Sequence, residues 1–340
     1  MIAAIAALAF AAGQALAWDA AGHRLITRLA LEGMSRKLGV DVPPWLKDAT
    51  HVKMIADQAV TPDRWRSEKT PQLTHLNNPD HYVDIEQLEE YGLTLRTVPP
   101  LRHEYVRVMS VAREKPGFPG KPIAEKRDPT HVQEYPGFLP HATLENYGKI
   151  VAAFRVVRIL EKLNQPERAH QVEMARNTAM AFMGIMAHYV GDAAQPLHTT
   201  IHHHGWEGPN PNGYSTDRGI HSYIDGGVIR THRIIADDVR PLCRFEDAAT
   251  DGTPGARNVP GADAWEAVLA ELERSFKQVE PLYQLHKKGE FEKDTGKQFI
   301  EQRLADGAQT LAALYAQAWR DSEPGQKDID EFLKYDGAVE

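Results

Sequence analysis

Residues 172–192 read VEMARNTAMAFMGIMAHYVGD. Apolar and small side chains occupy most of the circumference that a 3.6-residue period would give this stretch. The pattern predicts an α-helix from Val172 to Asp192, too apolar to lie on a surface and therefore central. The segments around it carry the same period. Ala20 to Leu38 reads as an amphipathic helix with Asp19 placed to cap it. Thr143 to Leu163 sets Ile150, Val151, Phe154, Val157 and Leu160 at helical spacing, and Ala264 to Leu285 and Phe299 to Trp319 add two more helices. Alternating β-branched runs hardly occur. The expected fold is all-α, a single helical-bundle domain with long loops.

Two regions break the period. Residues 86–142 are rich in proline, from Pro99 to Pro140, and residues 201–219 combine His202, His203 and His204 with dense Gly, Pro and Asn. Both read as loops. The three consecutive histidines read as part of a solvated loop with no assigned role.

Composition narrows the function. The 340-residue chain carries a net charge of −8, which excludes a general basic surface as the means of gripping nucleic acid. A single cysteine, Cys243, excludes an internal disulfide framework and a cysteine-rich zinc site. The 16 histidines instead point to metal or acid–base chemistry.

Residues 1–17, MIAAIAALAFAAGQALA, are uncharged and end in the small-x-small pattern Ala15-Leu16-Ala17. They read as a signal peptide, which leaves a mature domain of residues 18–340, secreted or periplasmic, beginning at Trp18. No later window has the apolar length of a transmembrane helix.

The sharpest chemical signal ends the central helix: His188-Tyr-Val-Gly-Asp192-Ala-Ala-Gln-Pro196-Leu-His198. His188 and Asp192 are four apart and share a helix face. Pro196 cannot continue the helix, so His198 leaves in a new direction. His221 and Asp225 repeat the four-residue spacing. One such pair is ordinary on a solvated face. Two pairs, with His198 between them and an apolar helix beneath, point to a metal site of nitrogen and oxygen ligands, a set that suits zinc. Trp18 adds a free α-amino group and a carbonyl oxygen, and His23 lies one turn into the first helix.

Together, Trp18-x4-His23, HYVGDAAQPLH and the later HSYID resemble the trinuclear-zinc, single-strand-preferring nucleases of fungi and plants, the P-one/S-one type. Bacterial zinc phospholipases C share that fold. The resemblance spans Trp18 to about Asp225 and implies three Zn²⁺. Asp63, His81, His188 and Asp192 would hold one; His198, His221 and Asp225 a second; Trp18, His23 and a bridging Asp192 the third. Asp57 is a rival to Asp63, and His75 a rival to His81. The implied reaction is in-line attack of a zinc-activated water on phosphorus, which leaves 5′-phosphorylated products. Asp63, Asp192 and Arg66 would act at the reacting phosphate, with the Arg66 guanidinium meeting the charge that builds in the transition state. Tyr82 and Asp84 match the positions that stack and hydrogen-bond a base, so the expected partner is single-stranded nucleic acid. Three zinc ions against three carboxylates leave a local positive excess, which lets an acidic chain bind a phosphodiester.

Two other readings compete. A zinc phospholipase C would use the same metals on a lipid phosphodiester and would need an apolar surface, which residues 86–142 would have to supply. A non-catalytic zinc-binding protein would need neither Arg66 nor an open coordination position. Asp at position 225, the short Trp18–His23 spacing and Arg66 favour the nuclease.

Overall fold

Asp19 starts the first helix as its sequence requires. Its side chain accepts hydrogen bonds from the amides of Ala21 and Gly22, and α1 (Ala20–Leu38) follows with Leu25, Ile26, Leu29, Ala30 and Met34 buried. The computed structural model describes residues 18–120, 135–245 and 262–336. The expected signal peptide therefore lies outside the described residues, as do Pro122 and Pro129.

Short helices follow α1: α2 (Ala49–Gln58), α3 (Thr61–Arg66) and α4 (Pro71–Asn77), then α5 (Arg102–Arg113). Two long helices come next, α6 (Leu139–Leu163) and α7 (Ala169–Ala193). After the histidine-rich loop come α8 (Ile220–Ser222), a π-helical turn (Tyr223–Gly227), α9 (Val228–His232) and α10 (Ala236–Val239). The chain closes with α11 (Ala262–Phe276), α12 (Val279–Lys287), α13 (Asp294–Asp321) and α14 (Gln326–Asp336). No strand occurs among the described residues, and the fold is an all-α bundle around one continuous hydrophobic core.

The long helices set the architecture. Helix α6 packs along α7, α1 packs along α13, and α13 also touches α6, α7 and α11. The C-terminal half of α7 is central, with Met183, Met186, Ala187, His188, Val190 and Asp192 all buried. The N-terminal half is less enclosed than its composition suggests, for Met174 is 63% exposed. Helix α2 lies against α7 at Gly184, where a Cβ would come within 2.7 Å of the Ile55 carbonyl oxygen. Only glycine permits that approach. It brings the end of α2 over His188.

Three expectations need correction. The segment 86–142 is not one long loop: Ile85–Tyr91 and Leu95–Thr97 form 3₁₀ turns, and α5 and the first turn of α6 lie within it. Pro140 sits where a helix tolerates proline, in the first turn of α6. Ala264 to Leu285 is two helices, α11 and α12, broken after Phe276. The histidine run at 202–204 is half-buried rather than solvated.

Candidate metal centre

Eight of the histidine and aspartate side chains singled out in the sequence converge in three buried groups: His23, His188 and Asp192; Asp63, His81 and His188; and His198, His221 and Asp225. Within each group the ligand atoms lie within 4.8 Å of one another. His188 belongs to two groups and Asp192 borders all of them. The Asp192 carboxylate lies 3.1 Å from His81 Nδ1, 3.3 Å from His188 Nε2, 3.5 Å from His23 Nε2 and 3.9 Å from His198 Nδ1. Ligand atoms about 2.0–2.1 Å from a tetrahedral zinc sit roughly 3.3 Å apart, close to most of these separations.

Second-layer hydrogen bonds aim the rings. A carbonyl can only accept, so the proton on each bonded imidazole is fixed. His188 Nδ1 donates to the Ala59 carbonyl at 2.8 Å, which leaves Nε2 with its lone pair toward Asp192. His198 Nδ1 donates to the His81 carbonyl at 2.6 Å, which leaves Nε2 toward His221. The π-helical turn carries Asp225, whose Oδ2 lies 3.1 Å from His221 Nε2. π-Turns inside helices recur at functional sites because they re-aim one side chain.

The polar groups are buried without the partners that burial demands. His23 and Asp192 are fully buried, Asp225 is 1% exposed and Asp63 4% exposed. Both nitrogens of His23, both oxygens of Asp63, Asp192 Oδ1 and Asp225 Oδ2 make no hydrogen bond. Enclosed carboxylates facing one another cost several kcal/mol each unless cations or protons offset them. Burial, with the charge of Asp63 beside it, pushes the Asp192 carboxyl well above the usual range, and burial does the same to Asp225. Burial likewise holds His23, His81, His198 and His221 well below the ordinary imidazole value, and His188 below it. Neutral imidazoles and cation-seeking carboxylates are the donor set a divalent metal requires. No thiol takes part: Cys243 bonds to the Val239 carbonyl.

Trp18 joins the cluster through its chain. Its side chain is fully buried, the indole Nε1 donates to the Gly191 carbonyl at 2.8 Å, and the next amide, of Asp19, donates to the Asp225 carbonyl at 3.3 Å. Asp63 rather than Asp57 enters the centre; Asp57 pairs with Arg24 at 2.8 Å on the surface. His75 is exposed, whereas His81 is 1% exposed. Arg66 Nη2 lies 3.6 Å from Asp63 Oδ1, and its cation is among the causes that lower His81, His198 and His221. Tyr82 and Asp84 follow His81 on an extended segment whose Val83 and Ile85 amides donate to the His198 and Thr199 carbonyls.

Four neighbours were not singled out from sequence as part of the site. Gln195 is fully buried and donates to Asp225 Oδ1 at 2.9 Å, which turns Oδ2 toward His221. Asn77 Nδ2 bonds to the Pro62 carbonyl and lies 3.1 Å from His81 Nε2. His203 and His204 stand with ring centroids 6.2 and 5.1 Å from that of His221. Gln195 sits inside the motif and was legible as a polar residue in an apolar run; Asn77 and the two histidines carry no local signal.

Among the described residues no helix is long and apolar enough to cross a membrane. The chain matches no protein-family model and no curated protein.

Proposed function

We propose that this protein is a zinc-dependent phosphodiesterase that cleaves single-stranded DNA and RNA to 5′-phosphorylated products, and that it acts outside the cytoplasm after residues 1–17 are removed. The observation that carries the reading is the surroundings of Asp192: a fully buried carboxylate with imidazole nitrogens of His23, His81, His188 and His198 between 3.1 and 3.9 Å away. Such a hub serves more than one metal.

Asp63, His81, His188 and Asp192 would hold one zinc, His198, His221 and Asp225 another, and His23 with the Trp18 amine and carbonyl a third. Bound zinc supplies Lewis-acid polarisation of a phosphoryl oxygen and a water acidic enough to lose its proton near neutral pH. The protein's own groups do the rest. Ala59 and the His81 carbonyl fix the tautomers of His188 and His198, so the donor set needs no rearrangement. Arg66, its side chain 14% exposed beside Asp63, offers a guanidinium to charge that develops on phosphate oxygens. Tyr82 and Asp84 supply a ring face and a carboxylate to an unstacked base.

The test pairs metal content with substrate. Protein beginning at Trp18 is analysed for zinc per chain and assayed on single-stranded DNA, single-stranded RNA and a phosphatidylcholine emulsion. Close to three zincs with 5′-phosphorylated nucleotides as products supports the reading. Lipid hydrolysis alone moves the substrate to phospholipids, and metal without hydrolysis makes this a binding protein.

A further inference from the structure

Asp19 does more than cap α1. Its Oδ1 accepts from the Ala21 and Gly22 amides, and its Oδ2 accepts from Arg230 Nη1 on α9. Helix α9 continues directly from the π-helical turn that carries Asp225. The ion pair lies over that turn: a Cβ on Gly226 would come within 2.4 Å of Asp19 Oδ2 and 2.6 Å of Arg230 Nη1. A side chain at position 226 would meet both members of the pair.

The same short segment holds the main chain of Asp19, whose amide donates to the Asp225 carbonyl at 3.3 Å. Trp18 is gripped beside it. Its indole bonds to Gly191 in α7, and a Cβ on Gly22 would lie 2.9 Å from Trp18 Cβ and 3.1 Å from Ile229 Cδ1, so α1 closes on Trp18 and α9 together. Asp19 is near enough for its charge to help raise the Asp225 carboxyl. Left unpaired, that carboxylate would be a rival ligand at the edge of the centre. Arg230 gives it a partner outside: the Arg230 side chain is 64% exposed and that of Asp19 21%.

We propose that Arg230 is a positioning residue: through Asp19 it holds the first peptide of the processed chain on the π-turn, so that the Trp18 amine and carbonyl are preset for a divalent cation. This rests on the metal reading above, with Trp18 in the ligand set. A chain terminus ordinarily frays, and a cation that must first order it binds more weakly. Arg230 touches neither the metal nor the phosphate.

The experiment reads zinc binding rather than turnover. Protein beginning at Trp18 and protein retaining Ala17 are each stripped of metal and titrated with zinc against a chromogenic chelator, as wild type, Arg230→Ala and Arg230→Lys. In protein beginning at Trp18, Arg230→Ala should weaken one zinc by roughly 3- to 10-fold and leave the others within about twofold, because an exposed pair supports a ligand less than a buried one does. Arg230→Lys should recover most of that loss, since the contact is a single one that an ammonium can make. In protein retaining Ala17, whose amide cannot take the metal, Arg230→Ala should change no zinc affinity. A merely structural role would weaken both forms alike. Unchanged affinity in the form beginning at Trp18, equal losses in the two forms, or release of all metals together would overturn the proposal. If the two wild-type forms bind zinc identically, Trp18 is not a ligand and the role of Arg230 falls with it. If they differ and Arg230→Ala matches wild type, the role of Arg230 alone falls.

Discussion

His198 Nε2 and His221 Nε2 face each other at 3.1 Å inside a buried site. His198 has already committed its Nδ1 proton to the His81 carbonyl, so its Nε2 brings a lone pair. His221 Nε2 also lies 3.1 Å from Asp225 Oδ2, which makes no hydrogen bond. A cation between the three atoms satisfies them at once. Stripping metal with a strong chelator should therefore lower the melting temperature by at least about 5 °C, since several kcal/mol of compensation is lost. Differential scanning calorimetry with and without re-added zinc checks this, and an unchanged melting curve would count against any structural role for metal.

Asp192→Asn should be the most damaging single substitution in the centre. The amide keeps the shape but loses the charge that borders His23, His81, His188 and His198. More than one metal should leave, and phosphodiester hydrolysis should fall by at least about 10²- to 10³-fold. Asp57→Asn, on the surface pair with Arg24, should change neither. Zinc analysis beside initial rates compares the two variants.

Metal uptake should expel protons. Burial raises Asp192 and Asp225 well above the usual carboxylate range, so in the metal-free fold both hold protons at pH values where free carboxylates do not. The histidines are held low by burial and are already neutral. Binding should release protons from both carboxylic acids, and affinity should weaken as pH falls. Titration calorimetry in buffers of different ionisation enthalpy counts them. Asp225→Asn should lower the count.

Acid should weaken the fold at a histidine outside the three metal groups. His141 is fully buried, stacks on Tyr105 and is held down to about 4 by burial, against an ordinary value of 6.5. The unfolded chain binds a proton there that the folded chain refuses. The stability is therefore present above pH 6.5 and is lost as pH falls from 6.5 toward 4, up to about 3 kcal/mol from this group. His141→Phe should flatten that part of the pH–stability curve in urea melts. An unchanged slope would mean that water reaches the ring.

The fold class and the metal-ligand geometry differ in how local their signals are. Helix α1 matches its expected bounds because Asp19 and an unbroken period mark it. Helix α5 was missed because the flanking prolines outweighed its own weak period, Tyr105 and Met109 being its buried anchors. The pairs His188/Asp192 and His221/Asp225 were legible because i,i+4 spacing survives in sequence. That Gly184 would let α2 set a carbonyl over His188, or that Glu86 would pin the loop bearing His203, depends on residues far apart in the chain. Periodicity carries no record of such contacts.

The N-terminal assignment makes the most specific demand on processing. The Trp18 indole bonds to Gly191, beside Asp192, and the Asp19 amide bonds to the Asp225 carbonyl, so the Trp18 main chain runs between two metal groups. A free amine there has an ordinary pKa near about 7.7–8.0 and can give up its proton to a metal; an amide cannot do so at neutral pH. Protein retaining Ala17 should bind one zinc fewer than protein beginning at Trp18. It should retain the remaining metals, because their ligands His81, His188, His198 and His221 lie elsewhere in the chain. Its hydrolysis of single-stranded DNA should drop at least about 10²-fold, as one member of a coupled metal set is missing. Elemental analysis of the two forms, each checked for its N-terminal residue by mass spectrometry, decides the matter. Equal zinc content and equal rates would remove Trp18 from the ligand set and leave His23 as a packing residue stacked on His188 at 4.0 Å.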